Sequence, residues 1–185
     1  QEKQMQYNSR FASKNELASY LAATPDKPGL LVQKYAQTEL PELPDHIAIL
    51  SIYYCPALKA LPRLPKSLTE LWIHSCPSLA ELPDFPSTMT ILSISDCPAV
   101  EELPPLAGGL KELMLGNCGI KTLPAIPASL KDLRLNLPGI KYLPELPHSL
   151  AHLHLCGCSA LTGRVITVGK LSIRLTEIRV ISNGL

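Results

Sequence analysis

Residues Leu61–Glu81 read LPRLPKSLTELWIHSCPSLAE, and this stretch decides the fold because versions of it return before and after it. With the Leu-Pro pairs in register, six units begin at Leu40, Leu61, Leu82, Leu103, Leu123 and Leu143, in steps of 21, 21, 21, 20 and 20 residues. The shared pattern is L-P-x-L-P-x-S-L-x-x-L-x-I/L-x-x-C-P-x-L-x-x. Self-similarity at such a period marks a solenoid whose units bury their apolar faces against one another, and it outranks any local propensity.

Each unit contains a short strand. In Leu68-Thr69-Glu70-Leu71-Trp72-Ile73, alternation sends Leu71 and Ile73 inward, with Glu70, Trp72 and then His74 outward. The return path carries L-P-x-L-P, where proline fixes φ and removes an amide donor, so an extended or polyproline-II course is expected there and no helix. The chain has 18 prolines, a number that would mark disorder were they not held at fixed repeat positions beside leucines. The expected architecture is an α/β leucine-rich-repeat solenoid with a concave parallel β-sheet, an extended convex side and an N-terminal helical cap.

Three segments follow. Residues 1–39 form the N-terminal helical cap, residues 40–163 the six repeats, and residues 164–185 a degenerate repeat or C-terminal cap. Residues 1–12 read as loose or partly ordered. Ser13-Lys14-Asn15-Glu16 is a capping box, Leu17, Tyr20 and Leu21 form one apolar stripe, and Thr24-Pro25 ends the helix. Leu30–Ala36 reads as a second short helix, with a strand as the alternative. Ile173 and Leu175 continue the 20-residue spacing of Leu133 and Leu135 and of Leu153 and Leu155, so Leu171–Leu175 is expected to be the strand of a seventh, degenerate unit. Glu177–Ile181 would add a final strand or turn back, and Lys170, Arg174 and Arg179 would guard the open edge.

Charge narrows the function classes. Residues 40–163 carry 8 Lys/Arg against 11 Asp/Glu, which gives a phosphate-tracking surface no support and argues against nucleic-acid binding. No apolar run approaches the roughly 18–20 residues that span a bilayer, so no membrane span is expected. Residues 164–185 reverse the sign, with 4 Lys/Arg against 1 Asp/Glu.

Cys55, Cys76, Cys97, Cys118 and Cys158 fall in one inward column, interrupted in the fifth repeat by a one-residue shortening near Leu137-Pro138. Equivalent parallel side chains have no reason to pair two by two. Buried reduced thiols are therefore expected, which fits a reducing compartment.

The outward columns are the candidate binding face. They run Ile49, Glu70, Ile91, Glu112, Asp132, His152; then Ser51, Trp72, Ser93, Met114, Arg134, His154; then Tyr53, His74, Ser95, Gly116, Asn136, Cys156. Strands about 4.8 Å apart would cluster Tyr53, Trp72 and His74. Trp, Tyr and Arg are the common anchors of interfaces. The candidate partner-binding residues are Tyr53, Glu70, Trp72, His74, Met114, Asp132, Arg134, His152 and His154, against the alternative that Trp72 lies flat over its neighbours or docks on the cap. His152, His154 and Cys156 share one face, but same-face neighbours about 7 Å apart are too far for one tetrahedral ion, so no metal site is expected. Cys156 beside His154 sketches a nucleophile and base without an orienting group or oxyanion loop. Gly108-Gly109 has no GKS/T after it and reads as a bend. Neither catalytic residues nor a cofactor is expected.

LPELP at Leu40–Pro44, LPRLP at Leu61–Pro65, LPDFP at Leu82–Pro86, LPAIP at Leu123–Pro127 and LPELP at Leu143–Pro147 resemble the short-repeat effectors of bacterial type III secretion, of the YopM and IpaH kind. The likeness covers about 124 of the 185 residues. It departs from the family in having Cys where Asn is usual and in its period of 21. It implies a secreted virulence protein acting in the host cytoplasm as a scaffold that binds a host protein. In the IpaH kind a C-terminal domain transfers ubiquitin through a catalytic cysteine, and that role does not carry over: the last cysteine is Cys158, inside the sixth repeat. The Cys-Pro-x-Leu endings at Cys55, Cys76 and Cys97 also resemble repeats of plant intracellular immune receptors. The alternatives are thus the substrate-recognition part of a ubiquitin ligase and a segment of such a receptor.

Overall fold

The computed structural model describes residues 10–162, together with the backbone of two further strands at Val165–Val168 and Leu171–Arg174. Helix α1 spans Lys14–Ala23. Ser13 Oγ accepts from the Glu16 amide at 3.1 Å, while the Glu16 carboxylate accepts from the Ala12 amide at 2.6 Å. The capping box therefore closes one residue further out than Ser13 itself. Leu17 and Leu21 are buried, and the helix stops at Thr24 before Pro25. Phe11 is also buried, with its ring 5.2 Å from that of Tyr20, so the segment expected to be loose is anchored at its end. Residues 1–9 lie outside the described part.

Seven parallel strands form one sheet in chain order: β1 (Gly29–Gln33), β2 (Ile49–Tyr53), β3 (Glu70–His74), β4 (Ile91–Ser95), β5 (Glu112–Gly116), β6 (Asp132–Asn136) and β7 (His152–Leu155). The chain is a leucine-rich-repeat solenoid. Register pairs each strand with the next without slippage, for instance Leu71 with Leu92 and Ile73 with Ile94. Leu50 and Ile52, Leu71 and Ile73, Leu92 and Ile94, Leu113 and Leu115, and Leu133 and Leu135 are all buried. Each such side chain is worth about 1.5–3 kcal/mol against exposure. A one-residue slip would turn the whole set outward, so the pattern holds the register.

Leu30–Ala36 is not a helix. Its first part is β1, which pairs Leu30 with Leu50 and Val32 with Ile52. Both residues complete the inward columns of the sheet, and that tertiary burial overrides the short apolar run's local ambiguity. Tyr35, fully buried, stands one repeat upstream of Cys55, and its Oη donates to the Glu39 carbonyl at 3.1 Å.

Leu171–Arg174 also departs from expectation. It forms strand β9, which pairs antiparallel with β8 (Val165–Val168) in a separate two-stranded sheet. Only Gly169 and Lys170 separate the two strands, a length that suits a hairpin, whereas parallel neighbours need a long crossover. The 20-residue spacing of Ile173 therefore does not mark a further strand of the parallel sheet. The proposed guard charges and the segment Glu177–Ile181 fall outside the described side chains.

On the return path no helix forms among the described residues, and isolated parallel bridges join Glu39, Ala60 and Glu81. The consensus Ser/Thr staples neighbouring repeats. Thr88, Ser129 and Ser149 hydroxyls each lie 2.6–2.9 Å from two carbonyls of the preceding repeat. After β1 to β5 and after β7, one residue takes positive φ just before the ladder position: Lys34, Tyr54, Ser75, Asp96, Asn117 and Gly157. The ladder thiols then donate back to the last strand carbonyl, as Cys97 does to Ser95 at 3.2 Å and Cys118 to Gly116 at 3.3 Å.

Candidate protein-interaction face

The three outward columns stand as alternation requires, and β1 adds Gly29, Leu31 and Gln33 to them. Tyr53, Glu70, Trp72, His74, Met114 and Asp132 are half-buried, while Arg134, His152 and His154 are exposed. The candidates fall into two groups with Ser93 and Ser95 of β4 between them.

At the first group, Tyr53 meets His74 edge-on at 6.2 Å between ring centroids. Trp72 Nε1 donates to Glu70 at 3.1 Å, so the indole is oriented by a carboxylate on its own strand. Tyr54 was missed by sequence reasoning. It is 53% exposed, occupies the positive-φ position, and packs edge-on to His74 at 5.6 Å. Its only signal was a second tyrosine immediately after the strand.

His74 Nδ1 lies 2.6 Å from Ser95 Oγ and 3.3 Å from Asp96 Oδ2, and Asp96 Oδ1 accepts from Asn117 Nδ2 at 2.8 Å. Residue types of a Ser-His-Asp relay meet here, but with different geometry. A relay needs the hydroxyl on one ring nitrogen and the carboxylate on the other. Here both engage Nδ1, so the cluster fixes the ring and ties three repeats together at their turns.

At the second group, Asp132 accepts two hydrogen bonds from Arg134, both at 2.9 Å. That carboxylate raises the guanidinium pKa further, with Glu112 adding to it through space. Beside the pair, Ser93, Ser95, Met114, Gly116, Asn136 and His154 surround a shallow depression of about 240 Å³. Neither Gly116 nor the depression was singled out from sequence, because a missing side chain matters only through the neighbours that rise around it.

The six cysteines are all free. Burial pushes the Cys118 thiol up to about 11. Cys76 is raised first by sharing hydrogen bonds with the Cys55 and Cys97 thiols, and those same bonds draw the outer two down. All three are closed to solvent, so they are turn elements and not nucleophiles. Leu137, fully buried, fills the ladder position in the fifth repeat. Among the described residues no group of three or more His, Cys, Asp or Glu side chains is placed to hold a metal ion, and no helix is long and apolar enough to cross a membrane.

No protein-family model matches the chain, and no curated protein matches it. Among solved structures it is similar to YopM from Yersinia enterocolitica WA-314, with 24% sequence identity and a TM-score of 0.47. The match covers 78% of this chain and 42% of that one, so the chain spans less than half the length of that structure.

Proposed function

We propose that this chain is a protein-binding scaffold without a catalytic centre of its own, which engages its partner through the concave sheet. The observation that carries the reading is the outward aromatic group in which Tyr53 and Tyr54 pack on His74, held by Ser95 and Asp96, with Trp72 on the same sheet face held by Glu70. Rigid, half-buried aromatics give large contact area at low ordering cost, which is what interface anchors do.

The LPxLP repeats behind a capped helix support a finer reading, that of a bacterial type III secreted effector binding a host protein in the host cytoplasm. A ladder of free thiols suits that reducing compartment. The Cys-Pro-x-Leu endings favour a second reading, as a segment of a plant-type immune receptor. The natural reading frame discriminates: a nucleotide-binding domain upstream supports the receptor, and a downstream domain with a catalytic cysteine makes this the recognition part of a ubiquitin ligase.

The scaffold reading is tested with Tyr53→Ala combined with Trp72→Ala, against a partner recovered by pull-down and purified. The expected result is about a hundredfold loss of affinity, the scale of two anchors lost together. Unchanged affinity in a variant that still unfolds cooperatively removes the concave-face proposal.

A further inference from the structure

Gly116 ends β5 in the column otherwise held by Tyr53, His74, Ser95, Asn136 and Cys156. Two nearby glycines are there for the backbone. A Cβ on Gly119 would come within 2.5 Å of the Pro98 carbonyl, and Gly157 has φ +60 with Asn136 packed against it. Gly116 is of neither kind. Its φ lies outside the left-handed region, and a Cβ there would meet Ser95 Cβ at 3.6 Å and Asn136 Cβ at 3.9 Å, ordinary contacts. Glycine inside a strand often marks a place that something else approaches closely.

Size defines what approaches. At about 240 Å³ the depression is smaller than the roughly 300–1,000 Å³ of small-molecule sites. It is larger than the cavity of about 150 Å³ that accepts benzene. One large apolar side chain fits. Met114, an adaptable thioether, forms one wall.

Charge defines what accompanies it. Arg134, which also lines the depression, is committed to Asp132, whereas the Glu112 carboxylate accepts no hydrogen bond and makes no ion pair among the described residues. Glu112 and Gly116 are outward positions of the same strand, about 13 Å apart. The repeats around them hold 8 Lys/Arg against 11 Asp/Glu, so a basic group is the complementary one.

We propose that the Gly116 depression is an anchor pocket for one large apolar side chain of a partner protein segment. A Lys or Arg of that segment, two to four residues away along an extended chain, pairs with Glu112. This rests on the concave-face reading and adds the chemistry of the partner to it.

The probe is a display library of random twelve-residue peptides selected against the full chain. Enriched peptides are expected to carry a Trp, Phe, Leu or Met two to four positions from a basic residue. Binding of the synthesised consensus peptide should fall at least tenfold for Gly116→Leu, less for Gly116→Ala, and about three- to fivefold with reduced salt dependence for Glu112→Gln. Unfolding midpoints of the same variants verify that they are folded. Enrichment of no sequence, a consensus without an apolar residue, or equal affinity for Gly116→Leu overturns the proposal. Peptides lost on Tyr53→Ala with Trp72→Ala but indifferent to Gly116→Leu leave the concave-face reading standing and remove the pocket. Peptides indifferent to both remove the two together.

Discussion

The 21-residue repeats and the 20-residue repeats share one motif but solve their turns differently. From Leu40 to Leu103 the spacing is 21, the thiol ladder of Cys55, Cys76 and Cys97 is unbroken, and Tyr54, Ser75 and Asp96 take the positive-φ position. Beyond Leu103 two units lose a residue each, and each shortening sits beside a glycine. The first removes a residue between Cys118 and Leu123, where Gly119 lies against the Pro98 carbonyl. The second removes the positive-φ residue after β6, so Leu137 follows Asn136 directly and the Asn136 side chain crowds Gly157 in the next turn. At both shortenings the joint between successive repeats holds a glycine whose Cβ would overlap the facing residue. The same half of the array holds Gly116, where no such demand exists, and that contrast separates glycines the backbone requires from one it does not.

The largest break in this comparison is expected at Gly119→Ala. A Cβ at 2.5 Å from a backbone carbonyl has nowhere to go without moving Pro98, and overpacking of this kind costs about 1–3 kcal/mol. Urea unfolding should place it at the upper end of that range. A smaller loss means that the two repeats slide apart easily.

Gly157→Ala comes next. An alanine in the left-handed region costs about 1–2 kcal/mol, and the overlap with Asn136 adds to it. Combining it with Asn136→Ala should recover the overlap but not the backbone cost, so the double variant is more stable than the sum of the singles predicts. Strict additivity would show that Asn136 is not the reason for glycine at 157.

The outward columns were legible residue by residue, because L-x-L alternation has a period of two and leaves no choice of face. The capped helix was legible from Ser13 and Glu16. Strand β1 was not: Leu30-Leu31-Val32 is too short an apolar run to tell helix from strand and lacks a Leu-Pro pair. Counting back 20 residues from Leu50 and Ile52 would have found it, with Tyr35 in place of the thiol. At the other end the same counting misled, since Ile173 sits at the right spacing in a hairpin. The contact between Tyr53 and His74 could be read from strand register, whereas that of Tyr54, one residue past the strand, could not. The depression could not, because it is made by what Ser95, Met114 and Asn136 do around a residue with no side chain.

Gly116→Ala has the smallest effect and the opposite sign. Glycine loses more conformational freedom on folding than alanine, at a cost of roughly 0.5–1 kcal/mol, and the contacts of a Cβ at 116 are ordinary. The variant should therefore be more stable than the wild type by about that amount, read as a higher urea midpoint at unchanged slope. The mechanism acts through the unfolded chain, so partner contacts do not enter it. If Gly116→Ala instead destabilises the fold, the backbone needs glycine there as it does at 119 and 157. The depression would then be a by-product of the turn, and the case for an anchor pocket would lose its footing before any peptide is tried.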